Sequence, residues 1–193
     1  MRLIGLAGQK QSGKSTIAGM IAVEKRATCL AFADPMKEFV SLLFGWSRED
    51  LEDGAFKERC DERYPRREAD GHHTFLTPRF ALQSLGTEWG RSCYPNVWVG
   101  YAIRRAKILD GGTNTWVLIT DVRFCNESKA IRDAGGEVWR IHRPHAGGGS
   151  EKDLHPSERG IFSPEMDKYV TREILNSGSL ADLKFAIMSL INQ

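Results

Sequence analysis

The chain has no CxxC pair, no basic tail and no apolar run approaching the roughly 20 residues that span a bilayer. Its four cysteines, Cys29, Cys60, Cys93 and Cys125, lie far apart, which excludes a disulfide framework and a zinc ribbon and fits a reducing compartment. Twenty-seven Lys and Arg against 25 Asp and Glu leave a formal net charge of +2, so the general attraction for nucleic acid that a strongly basic chain has is missing. Neither nucleic acid nor a membrane is expected as a partner. His72 and His73 are adjacent, cannot chelate as an i, i+4 helical pair does, and have only Cys60 in their neighbourhood, so no zinc centre is expected. No internal repeat is found, and no signal peptide precedes the first strand, which predicts a soluble cytoplasmic protein. Cys125 reads as a small packed residue rather than a nucleophile.

What is present has the order of an α/β domain, and 193 residues suffice for one with a proper core. Apolar strand candidates occur at Leu3–Ala7, Thr28–Ala33, Thr115–Thr120 and Val138–His142, with a weaker fifth between Tyr169 and Leu175. Helical patterns separate them, which predicts a five-stranded parallel sheet flanked by helices. Met36, Phe39, Val40, Leu43 and Phe44 recur at helical spacing behind Asp34 and Pro35. Thr77 and Pro78 read as the cap and first residue of another helix, which Gly86 would end in a left-handed conformation. A further helix is predicted from Val97 to Leu109, and a last one begins near Ser179. Residues 1–34 and 113–193 would form the core of a single domain, and residues 35–112 a helical insertion without a good strand. Within that insertion Glu52 to Thr77 is polar, charged and carries no assignable motif. Residues 144–164, rich in Gly, Pro and charge, read as a mobile lid.

The sharpest local signal is GQKQSGKS, in which Gly8, Gly13, Lys14 and Ser15 match GxxxxGK[ST] between the first strand and the first helix. The glycines let backbone N–H groups turn toward phosphate oxygens, and the helix N-terminus adds a positive dipole end. Lys14 would reach the β- and γ-phosphates of a nucleoside triphosphate, and Ser15 a magnesium ion, with Lys10, Ser12 and Thr16 completing the cradle.

Thr115 to Asp121 is an apolar strand that delivers a carboxylate at its C-terminal end, where open parallel sheets bind ligands. Asp121 is therefore the second candidate to hold magnesium, with a helix cap as its alternative role. Arg123 would meet an anion in the same crevice, or lie on the surface. Asp34, after the second strand, would orient an acceptor, hold a metal-bound water or cap the next helix. Lys37, one turn later, would attract an acceptor phosphate, or be solvated. Arg140, Arg143 and Arg159 form a group whose guanidinium charge suits the equatorial oxygens of a transferring phosphoryl, and for each a structural role stands as the alternative.

LQSLGTEWGR from Leu82 to Arg91, Pro95 with Trp98, ITDVRFCNE from Ile119 to Glu127, FADPMK, IRDAGGEVWRIHRP, HPSE and the terminal NSGSLADL together resemble the bacteriophage deoxynucleoside monophosphate kinases. The resemblance runs nearly end to end. It implies a P-loop fold similar to the nucleoside monophosphate kinases, ATP and Mg2+ as cofactors, and transfer of the γ-phosphoryl group to a dNMP, in the host cytoplasm if the chain is phage-encoded. Its small-molecule partners would be ATP and dNMP, and a homodimer is compatible with it. On that reading Gly8 to Thr16 cradle ATP with Arg140, and Asn176, Gly178 and Ser179 lie near the adenine, where a turn and helix cap is the alternative. Asp34, Lys37, Arg79, Gln83, Glu88, Trp89, Arg91, Trp98 and Arg123 would line the deoxynucleotide site, with Gln83 able to pair with a base edge, Arg79 and Arg91 able to clamp the monophosphate, and Trp98 able to stack on a base, for which core packing is the alternative. Lys14, Asp34, Asp121, Arg123, Arg143 and Arg159 would be catalytic. A kinase of another small acceptor, such as dephospho-coenzyme A, is the nearest rival within enzymes. A nucleotide-hydrolysing switch or motor is the other, disfavoured because no NKxD element appears and Val122, not Glu, follows Asp121.

Overall fold

A computed structural model describes residues 1–68, 71–144 and 160–192. Arg159 and most of the expected lid lie outside the described residues. The chain divides into two compact units, Met1–Phe32 with Val99–Gln193, and Ala33–Trp98. The boundary on the return thus falls at Val99 rather than after residue 112 as expected. Among the described residues no helix is long and apolar enough to cross a membrane.

The first unit is built on β1 (Arg2–Ala7), α1 (Lys14–Lys25) and β2 (Thr28–Leu30). Its sheet has the order β2-β5-β1-β6-β7, where β5 is Trp116–Val122, β6 Glu137–His142 and β7 Arg172–Leu175. Every pairing is parallel, as the expected strand–helix alternation requires. β1 is central and buried from Leu3 to Ala7. Ile4, Leu6, Ile17, Ile21, Leu118, Trp139 and Ile141 form the core with Leu183, Ile187 and Ile191 of the C-terminal helix Leu180–Ile191. All five expected strands exist, but β2 stops at Leu30 instead of Ala33. The cause is local: Asp121 Oδ1 accepts the Phe32 N–H at 2.8 Å, drawing the backbone off the ladder.

The second unit holds α2 (Asp34–Phe44), α3 (Gly54–Glu58), an antiparallel hairpin of β3 (Asp61–Arg67) and β4 (His73–Leu76), and α4 (Pro78–Gln83). Val40, Trp46, Leu51 and Ala81 are buried, with Phe44, Phe56 and Tyr64 packed around them. Phe44 stacks on Trp46 at 4.7 Å between centroids and meets Tyr64 edge-on at 5.1 Å. Trp46 Nε1 donates to Asp61 at 2.8 Å and Tyr64 Oη to the Phe44 carbonyl at 2.9 Å, so the polar tips of both rings are satisfied.

Two expectations for this unit are corrected. The insertion contains a hairpin, although no good strand was expected within residues 35–112. Asp61, Tyr64 and Arg66 stand half-buried along β3 between exposed, mostly charged neighbours, so the inward face carries almost no aliphatic signal. Gly86 does not end a helix. The winding continues from α4 into π-helical turns over Ser84–Arg91, and Gly86 is buried within them. A Cβ there would stand 2.7 Å from Met36 Sδ, so the glycine serves close packing. The remaining helices are α5 (Val97–Asp110), α6 (Cys125–Asp133), α7 (Pro164–Asp167) and α8, the C-terminal helix already described, with Ser179 at its N-cap as expected.

Candidate nucleotide and acceptor sites

The phosphate loop follows the central strand directly. Gln11 and Gly13 have φ of 64° and 103°, and these two left-handed residues turn the backbone from β1 into α1. Gly8 cannot carry a side chain, since its Cβ would lie 2.6 Å from Ser12 Oγ and 2.7 Å from the Ile141 carbonyl. Lys14 Nζ donates to the carbonyls of Gly8 at 2.7 Å and Gln9 at 2.6 Å, and lies 3.5 Å from Ser12 Oγ. The ammonium therefore rests in the loop itself. α1 starts with no capping side chain and no acidic residue in its first turn. A helix end with outward N–H groups and no internal carboxylate is a seat for an anion.

Asp121 reaches the same sheet edge, since Ala7 is in register with Val122. It takes the Phe32 N–H, a role that its position at the end of an apolar strand did not announce. Glu127, unremarked in the sequence reading, is 2% exposed and accepts the Arg123 and Phe124 N–H groups at 2.8 and 3.0 Å. It fixes the turn that carries the exposed Arg123. The signal was available: an acid at the third position of a helix is half of a capping box.

Arg140 is 8% exposed. Its guanidinium donates to the Asp167 and Glu173 carboxylates and to the Ile161 carbonyl at 3.3 Å. Burial opposes its charge, but Glu173 and Asp167 outweigh that and hold its pKa above the ordinary arginine value. Arg140 thus ties β6 to β7 and α7, the structural role that stands as its alternative. Arg143 is exposed just beyond β6.

Asn176, at the end of β7, is buried and donates from Nδ2 to the Ser12 carbonyl at 3.0 Å. Ser179 caps α8, with Asp182 accepting from its backbone and hydroxyl at 2.9 and 2.7 Å. These donors hold the Asp182 pKa below the ordinary carboxylate value. Gly178 packs against Asp182, whose Oδ2 would stand 2.8 Å from a Cβ.

The second unit collects charge of both signs. Asp34 is the first residue of α2, with Ala33 in the cap position, and its Oδ1 pairs with Arg48 Nη2 at 3.0 Å. Lys37 pairs with Glu52 at 2.6 Å, Arg48 reaches Glu52 at 3.4 Å, and Lys57 donates to the Glu52 carbonyl at 3.3 Å. Arg79 donates to Glu58 at 2.8 Å. Burial, then the Lys37 and Arg79 charges, push the Lys57 pKa below its ordinary value against the pull of Glu52 and Asp53. Lys37 and Arg79, both expected on an acceptor, thus share a neighbourhood with Arg48 and Lys57, which sequence reasoning missed because nothing in their spacing marks them.

Trp98, read as stacking on a base or packing in the core, is packed. Trp98 is 8% exposed, and its Nε1 donates to the Gly86 carbonyl at 2.8 Å. Gly90 lies flat on it, since a Cβ there would be 2.3 Å from the indole. Trp89, by contrast, is 58% exposed, with Glu88 and Gln83 also exposed and Arg91 half-buried nearby in the chain.

The fold is that of the P-loop kinases. Dephospho-CoA kinase from Campylobacter jejuni superposes with a TM-score of 0.54 at 15% identity, covering 100% of this chain and 96% of that one. No family model matches the sequence. A candidate deoxynucleotide monophosphate kinase of Acanthamoeba polyphaga mimivirus is 33% identical, covering 100% of this chain and 97% of the relative. The deoxynucleoside-5'-monophosphate kinase of Escherichia phage T5 is 28% identical over 90% of this chain and 89% of its own length. On the full-length match at 33% identity, the chain belongs to the deoxynucleoside monophosphate kinase family.

Proposed function

We propose that the protein transfers the γ-phosphoryl group of ATP to the phosphate of a deoxynucleoside monophosphate, giving dNDP and ADP. The observation that carries this is the full-length relationship to enzymes of that name, in a chain whose phosphate loop keeps its left-handed turns, its lysine and its uncapped helix end. The loop amides and Lys14 would hold the β- and γ-phosphates, and Lys14 would leave the Gly8 and Gln9 carbonyls for phosphate oxygens as charge develops on them. An acceptor phosphate is already anionic, so no strong general base is required.

Ser15 and Asp121 offer oxygen donors suited to a hard cation. Among the described residues no three His, Cys, Asp or Glu gather into a metal cage. Magnesium would neutralise phosphate charge when bound. In the second unit Asp34, Lys37, Arg79, Gln83, Glu88, Trp89 and Arg91 are assigned to the acceptor, with Arg123 and Arg143 of the first unit as the described cations for the transferred group. Trp98 supports the Gly86–Gly90 turns instead of touching a base.

The test is ADP formation from magnesium-ATP with each common dNMP, each NMP and dephospho-coenzyme A in turn. Turnover that depends on a dNMP is expected. Turnover with dephospho-coenzyme A alone, or ATP hydrolysis indifferent to every acceptor, would overturn the reading.

A further inference from the structure

Asn176 stands 164 residues from the phosphate loop in sequence, yet its side chain is buried against it. The amide nitrogen, not the oxygen, must face Ser12, because a carbonyl can only accept. The contact is tight. An ideal Cβ on Gly13 would lie 2.5 Å from Asn176 Nδ2, so the amide fills the space that the left-handed glycine, with φ of 103°, leaves open. Ser12 itself is 1% exposed, its Oγ lies beside Gly8, and its N–H donates to the Gln9 carbonyl at 3.2 Å. Asn176 is held from behind by its own N–H, which donates to the His142 carbonyl at 2.7 Å at the end of β6. Beyond it the chain is fixed again by the Ser179–Asp182 cap of α8.

A buried amide pinned at its backbone and donating to the one loop carbonyl between Gln11 and Gly13 is placed to fix the Ser12–Gly13 peptide, one residue ahead of Lys14. The Ser12–Gly13 peptide is where the backbone turns from the loop into α1, so its orientation sets where the following amides point. We infer that Asn176 is a positioning residue of the phosphate loop: it acts on nucleotide affinity through the Ser12 carbonyl and not by contact with a base. This rests on the loop being a triphosphate seat, as proposed above. It replaces a contact with adenine, the expected role of Asn176, and predicts a defect that is blind to the base.

Binding of magnesium-ATP, magnesium-GTP and inorganic tripolyphosphate to the wild type, Asn176→Ala and Asn176→Asp would be measured by calorimetry. Loss of the donor should weaken all ligands that the wild type binds by one common factor of about ten in Asn176→Ala, and by more in Asn176→Asp, whose carboxylate would face both the carbonyl and the phosphates. The KM for the dNMP should stay within about twofold of wild type in both variants. A second readout needs no ligand: amide exchange at Ser12, Gly13 and Lys14 should speed up in Asn176→Ala while the β1 and β5 amides stay protected. Weakening confined to ATP, with tripolyphosphate unaffected, would make Asn176 a base contact and overturn the inference. So would unchanged binding together with unchanged exchange. A wild type that binds none of the three would sink the triphosphate reading itself, and the exchange result would still decide whether Asn176 orders the loop.

Discussion

The two units make their sites from different materials. In Met1–Phe32 with Val99–Gln193 the anion seat is backbone: left-handed turns at Gln11 and Gly13, an uncapped helix end, and one lysine resting on loop carbonyls. In Ala33–Trp98 the candidate acceptor surface is long side chains, with Lys37, Arg48 and Arg79 each bound to a carboxylate of their own unit. A backbone seat needs glycines at fixed spacing and is spelled out over a few residues of sequence. A side-chain seat would be assembled from residues scattered over several short elements, and its candidate cations here rest on carboxylates. Loop substitutions should therefore act on every nucleotide alike, whereas substitutions in the second unit should act on the acceptor alone.

The largest expected effect that sharpens this contrast is Lys14→Ala. It removes a cation that supports no core packing, so turnover should fall by about 10²- to 10³-fold or more with the fold unchanged by circular dichroism. Near-normal turnover in the folded variant would contradict the role of the loop. Next is Arg91→Ala, which should raise the KM for dNMP by roughly 10- to 150-fold, the loss of a charge-assisted bond of about 1.5 to 3 kcal/mol, and leave the KM for ATP alone. Equal damage to both KM values would break the division of labour between the units.

A smaller effect separates the two tryptophans. Trp98→Phe leaves the buried Gly86 carbonyl without its donor and should lower stability by about 1 to 3 kcal/mol in chemical denaturation. Trp89→Ala, at an exposed ring, should change stability by less than about 0.5 kcal/mol and raise the KM for dNMP. The reverse ranking in the denaturation experiment would mean that the exposed ring is the structural one. The smallest effect belongs to the α8 cap. The Asp182 carboxyl is held below its ordinary value by Ser179, so it contributes stability that is present above the unfolded-state pKa of about 4. That contribution is lost as pH falls through the lower folded value. Asp182→Asn should flatten the acid limb of a stability profile below about pH 4, and an unchanged slope would remove the cap from the account.

The fold was largely legible because strand and helix alternate in the first unit: β1 and β5 are largely apolar runs, β6 is buried from Val138 to Ile141, and the helices carry apolar faces toward them. The hairpin was not, because β3 presents Asp61, Tyr64 and Arg66 inward, and their fit depends on Trp46 and Phe80, distant in sequence. Arg66 stacks on Phe80 at 3.6 Å, a pairing that no periodicity signals. Gly86 misled for a related reason. A glycine inside a helical pattern reads as a stop, whereas here it admits Met36 and gives its carbonyl to Trp98. Among the candidate site residues, the placement of Lys14 at the phosphate loop and of Asp121 in β5 was readable from the local pattern. Arg140 was not, since its partners Asp167 and Glu173 come later in the chain and nothing local marks them.

Phosphoryl transfer between two nucleotides is measured most directly by following the transferred group. With γ-labelled ATP, magnesium and a deoxynucleoside monophosphate, the label should appear as the β-phosphate of the corresponding dNDP in amounts equal to the ADP formed. Label released as inorganic phosphate at the same rate with and without dNMP would contradict the account and make the protein a nucleotide hydrolase on the same fold.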